Sequence, residues 1–229
     1  ESEESRRQAD YRSILFSIQK EAALYFYHQL MSENGKRGYL YLRSRGLSDE
    51  TIKNFGLGYA NQYPDDLYRF LRQKGFSDAQ LKDSGLVKID ERGCYDKFWN
   101  RVMFPIMDIN NKVIGFGGRV MGEGEPKYLN SPETPIFEKN RNLYGMHVAK
   151  RNRKPYFLIC EGYMDVISLH QAGFTNAVAS LGTAFTVQHG LLLKRYTKEV
   201  VLTFDSDGAG IKAALRAIPI LKEAGLSAR

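Results

Sequence analysis

The sequence predicts an α+β region followed by an α/β region. Three observations predict it. Apolar residues recur at helical spacing through much of the first hundred positions. Short alternating or β-branched runs, separated by turn residues, follow over 86–130. From residue 156 onward, strand-like and helix-like segments alternate three times, the pattern of a parallel sheet. The 229 residues suit one large domain or two small ones. A hydrophobic fraction of 43% and a charged fraction of 26% exclude a disordered or low-complexity polymer.

Ile14, Leu15, Ile18, Ala22, Phe26 and Leu30 predict one amphipathic helix over about 11–33. Tyr39, Leu40 and Leu42 predict a second, short helix that stops near Gly46. Ser48 reads as an N-cap for a helix over 49–55. Two further short helices are predicted over 65–74 and 77–84, each ended by a glycine. The aromatics of this region, Tyr25, Phe26, Tyr27, Tyr39 and Tyr41, are expected in the core rather than on a base-stacking platform.

Strands are predicted over 86–90, 101–107 and 112–120, with 108–111 as a hairpin turn and 127–130 as a further strand. They should form one small, largely antiparallel sheet. Phe98 and Trp99 are expected beneath it. Gly115, Gly117 and Gly118 either bend a strand or let backbone approach nucleic acid closely. In the last third, strands over 156–160, 175–180 and 200–204 alternate with helices over 163–172, 186–196 and 208–224. No internal repeat is present.

The longest apolar runs are too short to span a bilayer. The N-terminus ESEESRRQAD has no apolar stretch behind its charges and does not read as a signal peptide. Cys94 and Cys160 form no C-x-x-C, so two free thiols in a reducing cytoplasm are expected. His28, His147, His170 and His189 form no ligand set and are read as surface or satisfied core residues.

Net charge is +7, which permits an anionic partner. Residues 1–100 hold 16 basic and 15 acidic side chains, and residues 156–229 hold 7 and 6. Residues 101–155 hold 10 and 5, so the excess is concentrated in the middle of the chain.

In open α/β sheets, functional groups gather outside the carboxyl ends of the strands. Glu161 follows directly on the first parallel strand, and Asp205 and Asp207 follow on the third. Asp165, four residues past Glu161, is expected on the same face of the ensuing helix. Four carboxylates then project toward one rim, where they repel unless protonated or bound to cations. Oxygen-only ligands suit magnesium or manganese. Alone, D-x-D-G also reads as an N-cap with an Asx turn. It does not fit an EF-hand loop, because glycine falls too early and position twelve is Arg216.

Glu161-Gly-Tyr-Met-Asp165-Val, with Asp205-Ser-Asp207-Gly on a later strand, resembles the Toprim module shared by DNA primases and topoisomerases. Arg101-Val-Met-Phe-Pro-Ile, Val113-Ile-Gly-Phe-Gly-Gly-Arg119, Pro126-Lys-Tyr-Leu-Asn-Ser-Pro-Glu-Thr134, Leu143-Tyr-Gly and Ala179-Ser-Leu-Gly-Thr183 resemble the signature blocks of the bacterial DNA primase family. The resemblance runs from about residue 11 to the last residue. It implies a helical and antiparallel-sheet N-terminal subdomain over 1–137. A Toprim-type parallel α/β subdomain follows over 138–229, cut short at its C-terminal end.

The resemblance further implies an RNA polymerase that makes short primers on single-stranded DNA from ribonucleoside triphosphates, by metal-dependent nucleotidyl transfer at the replication fork. It implies that Glu161, Asp205 and Asp207 hold Mg2+ or Mn2+, with Asp165 supporting. Glu161 acts either as a ligand or as general base, since both roles need a carboxylate at that rim. Arg45, Arg119, Lys127 and Lys139 are the implied nucleotide- and template-binding residues, with Asn130 shaping that surface. Arg119, Lys127 and Lys139 all lie in the segment of charge excess.

The family's zinc-binding and helicase-binding domains are expected outside these residues, and its third acidic motif beyond Arg229. No zinc is therefore expected in this segment. The replicative helicase is a partner of the whole protein, and the location implied is the bacterial cytoplasm, with no membrane. The alternatives are another Toprim enzyme, nuclease or topoisomerase-like, an aspartate-nucleophile phosphatase, and a non-catalytic nucleic-acid binder. The middle blocks match primases rather than the first, and only 22 residues follow Asp207, too few for the partners of the second.

Overall fold

A computed structural model describes residues 2–229. The chain divides into two compact units, one of residues up to Ile106 with Lys112–Phe137, the other of Met107–Asn111 with Glu138–Arg229. Among the described residues no helix is long and apolar enough to cross a membrane.

In the first unit, α1 (Glu3–Met31) begins well before the apolar periodicity does. Capping explains the early start. The Ser2 hydroxyl accepts the Ser5 N–H at 3.2 Å, and Glu3 and Glu4 occupy the first turn, where a helix favours negative charge. Its face of Leu15, Ile18, Ala22, Phe26 and Leu30 is buried. α2 (Lys36–Ser44) and α3 (Asp49–Asn54) follow. The Ser48 hydroxyl accepts the Thr51 N–H at 3.1 Å, as an N-cap should.

β1 (Gly58–Ala60) is too short to show a period in the sequence. α4 (Asp66–Gln73) and α5 (Asp78–Asp83) precede β2 (Val87–Asp90) and β3 (Gly93–Asp96). These two strands pair only with each other, as a separate antiparallel ribbon, so the expected single sheet over 86–130 is corrected. β4 (Arg101–Met107), β5 (Val113–Val120) and β6 (Tyr128–Asn130) join β1 in the order β1-β4-β5-β6.

Of the aromatics expected in the core, Phe26 is fully buried, while Tyr25, Tyr27, Tyr39 and Tyr41 are half-buried. Phe98 is buried, but Trp99 is 55% exposed and does not lie beneath the sheet. Two of the strand glycines, Gly115 and Gly118, are explained by packing inside the unit. A Cβ on Gly118 would stand 2.9 Å from the Phe98 ring and 3.0 Å from Arg101 Cδ. One on Gly115 would meet Phe137 at 3.1 Å. These positions admit the protein's own side chains, which leaves no opening there for nucleic acid.

The second unit holds α6 (Met146–Ala149), β7 (Tyr156–Cys160), α7 (Tyr163–Gln171), β8 (Ala177–Ala179), α8 (Val187–Lys194), β9 (Glu199–Leu202), α9 (Gly208–Glu223) and β10 (Ser227–Ala228). Its sheet has the order β10-β9-β7-β8, and every pair is parallel. Phe157, Ile159, Val178, Leu193, Val200 and Leu221 fill its core.

His28 is exposed. His170 Nε2 lies 2.8 Å from the Ala177 carbonyl oxygen. His189 accepts the Thr186 N–H through Nδ1 and lies 2.7 Å from the Lys139 carbonyl oxygen through Nε2. Burial pushes the His147 imidazole down to about 4. Among the described residues none of the four belongs to a group of three or more His, Cys, Asp or Glu that could hold a metal ion.

Candidate active site

The strand order decides where the acidic residues meet. β7 connects through α7 to β8 on one side, and β9 connects through α9 to β10 on the other. The chain therefore leaves the neighbouring strands β7 and β9 in opposite directions. That divergence opens a crevice at their carboxyl ends. Glu161 stands at the end of β7, and Asp205 just past the end of β9.

Register brings the two side by side. Ile159 pairs with Leu202. Thr203 continues the ladder, its N–H donating to the Ile159 carbonyl at 2.9 Å and its hydroxyl to the same oxygen at 3.1 Å. The Asp205 N–H then donates to Glu161 Oε1. Asp207 is the N-cap of α9, its Oδ1 accepting from the Ala209 N–H at 3.0 Å and the Gly210 N–H at 2.7 Å. Asp165 lies in the first turn of α7, its Oδ2 accepting the Gly162 N–H at 3.1 Å. Glu161 lies outside α7, so the expected helix-face relation between it and Asp165 is corrected.

All four carboxylates are exposed at this rim. They are not drawn into one cluster: among the described residues no three His, Cys, Asp or Glu side chains stand close enough to hold a single ion. The reason is visible in their partners, because Glu161, Asp165 and Asp207 are each bonded to backbone N–H groups. The donor set nonetheless fits a hard divalent cation, being oxygen only and negatively charged. A cavity of about 320 Å³ adjoins Glu161 and is lined by Ser180, Thr183, Phe204 and Arg216.

Gly210 was not singled out by sequence and matters here. A Cβ at this position would overlap the Asp205 carbonyl oxygen and come within 2.9 Å of Glu161 Oε1. The only signal was the second glycine of D-S-D-G-A-G.

A separate basic and aromatic surface belongs to the first unit. Arg119 on β5 pairs across the ladder with Tyr128 on β6, and Gly117 pairs with Asn130. Strand alternation puts Tyr128 and Asn130 on one face. The Arg119 guanidinium stacks over the Tyr41 ring at 4.4 Å and donates to the Val120 carbonyl at 3.0 Å. Burial and Tyr41 raise the Tyr128 phenol, while Arg119, hydrogen-bonded to it, and Arg45 oppose the rise. Arg45, Arg119, Tyr41 and Tyr128 are thus one neighbourhood.

Lys127 is exposed beside it. Its backbone is held from below by buried Arg101, whose Nη1 donates to the carbonyls of Gly118 at 3.1 Å, Pro126 at 2.9 Å and Lys127 at 3.4 Å. Tyr41, Tyr128 and Arg101 also build this surface; Tyr128 and Arg101 lie within signature blocks of the sequence, but nothing local marked their roles. Lys139 belongs to the second unit, in a short 3-10 turn over Lys139–Arg141.

The DNA primase catalytic core, N-terminal domain family matches residues 25–150, and the Toprim-like family matches residues 158–229. The chain is 47% identical over 212 residues to the DNA primase of Clostridium acetobutylicum, covering 92% of this chain and 35% of that protein. It is 52% identical over 180 residues to the DNA primase of Deinococcus radiodurans, covering 76% and 32%. The chain spans about a third of the length of these curated relatives. Among solved structures, a DnaG primase catalytic domain bound to ssDNA superposes with a TM-score of 0.84 at 41% identity, covering 92% of this chain and 67% of that one. The RNA polymerase domain of Mycobacterium tuberculosis primase DnaG superposes with a TM-score of 0.86 at 34% identity, covering 91% and 71%. These matches extend over both units and both signature regions, and the chain belongs to the bacterial DnaG family of DNA primases, within its catalytic core.

Proposed function

We propose that this chain is the nucleotidyl-transfer core of a primase, joining ribonucleoside triphosphates on a single-stranded DNA template into short RNA primers for replication. One observation carries the reading: Glu161 and Asp205 are joined at the divergence point of β7 and β9. Glu161, Asp205 and Asp207 are the residues that would hold divalent metal, magnesium or manganese, with Asp165 supporting. When bound, such an ion stabilises charge on the attacking and leaving oxygens of phosphoryl transfer.

The chain's own side chains have simpler tasks. Arg45, Arg119 and Lys127 meet the template backbone or the triphosphate by charge, which supplies affinity and little sequence reading. Asn130, on the same strand face as Tyr128, borders that surface. Lys139, in the second unit, is a further cation for the triphosphate or the template backbone. Glu161 also serves as the group that can accept a proton from the attacking hydroxyl. The replicative helicase is the partner expected of the whole protein, through regions that these residues do not include.

The test is ribonucleotide incorporation on a single-stranded DNA template with magnesium or manganese. Glu161→Gln and Asp205→Asn should each lower incorporation at least about 100-fold, a few kcal/mol of transition-state stabilisation. Template affinity should change little. Incorporation unaffected by both substitutions would refute the assignment.

A further inference from the structure

Trp99 is the chain's one tryptophan and is 55% exposed. Exposure alone carries nothing, since single apolar side chains are common on surfaces. Its mount distinguishes it. The next residue, Asn100, has a φ of 50°, an uncommon conformation for a non-glycine residue.

Four hydrogen bonds hold Asn100 there. Its N–H donates to the Asn61 carbonyl at 2.8 Å, and its carbonyl accepts the Met121 N–H at 2.9 Å. Its Nδ2 donates to the Met121 carbonyl at 2.9 Å, and its Oδ1 accepts from the Tyr59 hydroxyl at 3.2 Å. Such a conformation persists only where its surroundings over-determine it. The outcome is a fixed turn that buries Phe98 and presents the neighbouring indole to solvent.

The same bonds locate the indole. Asn100 precedes β4, Met121 follows β5, and Lys127 precedes β6. The Val120 N–H donates to the Lys127 carbonyl at 3.0 Å. The backbones of Trp99, Arg119 and Lys127 therefore lie at the same end of β4, β5 and β6. Arg37, exposed on α2, reaches the same end of the sheet: a Cβ on Gly122 would lie 2.8 Å from its Nη2. Tyr63, two residues past Asn61, is a second exposed aromatic, at 63%.

A solvent-facing indole mounted on a fixed turn, with cations on neighbouring strand ends, matches the chemistry of single-stranded nucleic acid. Unpaired bases offer flat faces to stack, and their phosphates offer negative charge. A duplex offers the charge but keeps its base faces stacked on one another. We propose that Trp99 and Arg37 form a stacking subsite for single-stranded nucleic acid, continuous with the Arg119 and Lys127 surface. The indole takes a base and the guanidinium takes an adjoining phosphate. This inference rests on the nucleic-acid reading above and extends the surface beyond the residues assigned there.

Because Trp99 is the sole tryptophan, its fluorescence reports the contact directly. Labelled oligothymidylate is titrated into the protein, with anisotropy and tryptophan emission followed together. Binding should quench the emission. Trp99→Leu should weaken binding about tenfold, Trp99→Phe about threefold or less, and Arg37→Ala about three- to tenfold. Circular dichroism should show the variants folded. Binding by anisotropy with unchanged emission, and unchanged affinity in Trp99→Leu, would overturn the subsite and leave the nucleic-acid reading standing. Equal quenching by a duplex of the same length would overturn its single-strand character. Absence of any binding would remove both readings together.

Discussion

The Arg119 guanidinium lies 4.4 Å from the centroid of the Tyr41 ring, so a residue on β5 is held in place by one on α2. The contact orients a cation that would otherwise sample many rotamers. Arg119→Ala should weaken single-stranded DNA binding and lower the slope of log affinity against log salt by about 1. Tyr41→Leu should weaken binding less and leave the slope unchanged, because the charge remains. Both should change stability by only about 0.5–1 kcal/mol, the range of exposed cation–π contacts. Anisotropy at several salt concentrations checks this, and equal slopes for Arg119→Ala and the parent would contradict it.

Gly210→Ala should disturb the acidic rim without replacing any carboxylate. The added methyl overlaps the Asp205 carbonyl oxygen and crowds Glu161 Oε1. Primer synthesis should fall at least about tenfold, while the protein stays folded at a cost of roughly 1–3 kcal/mol, as for overpacking elsewhere. Full incorporation by this variant would mean that the loop relaxes freely.

Arg101 has a structural task that its charge conceals. It is 6% exposed, and its Nη1 serves three backbone carbonyls. Arg101→Leu fills much of the volume but leaves those carbonyls unserved. Destabilisation by roughly 2–4 kcal/mol is expected. Chemical denaturation measures it, and a loss below about 0.5 kcal/mol would show that water replaces the guanidinium.

Asp96 gives the fold a pH dependence of unusual sign. Burial pushes its carboxyl up to about 7, against the Leu67 and Tyr68 N–H groups that it accepts at 2.9 and 2.8 Å. A carboxyl raised above its unfolded value near 3.8 binds more protons in the folded state between the two values. Its contribution therefore falls as pH rises through that window, by at most ~1.4 kcal/mol per pH unit, and is level above it.

His147, His170 and His189 are pushed down by burial and act in the opposite sense, losing stability as pH falls below the ordinary histidine range. The Asp96 effect is thus read as a difference. Relative to Asp96→Asn, the parent should lose urea stability between about pH 5 and pH 7. A difference that does not vary with pH would discard the assignment.

Much of the architecture was legible along the chain. The three βα alternations after residue 155 announced the parallel sheet, because buried strands need continuous apolar runs and their crossover helices need a 3.6-residue period. Ser48 announced a helix start by the same local chemistry that the structure shows. β1 and the separate β2–β3 ribbon were not legible. Strands of three or four residues carry too few alternations to declare a period, and their pairing partners are distant in sequence. Trp99 was misplaced because hydrophobicity predicts burial, while a positive φ at Asn100 turned the indole outward.

The sequence by itself determined the family, the helix caps, the parallel α/β pattern and the chemistry available at each position. Those are properties of short windows, where spacing and residue type suffice. Tertiary structure alone decided which acidic residues became neighbours along the rim. Glu161 and Asp205 are 44 residues apart and meet because β9 chose the far side of β7. It also decided that Tyr41 would lie under Arg119, and that Arg101 would be buried beneath Lys127. Such contacts follow from strand order and register, which are settled by packing the whole core and by no local segment.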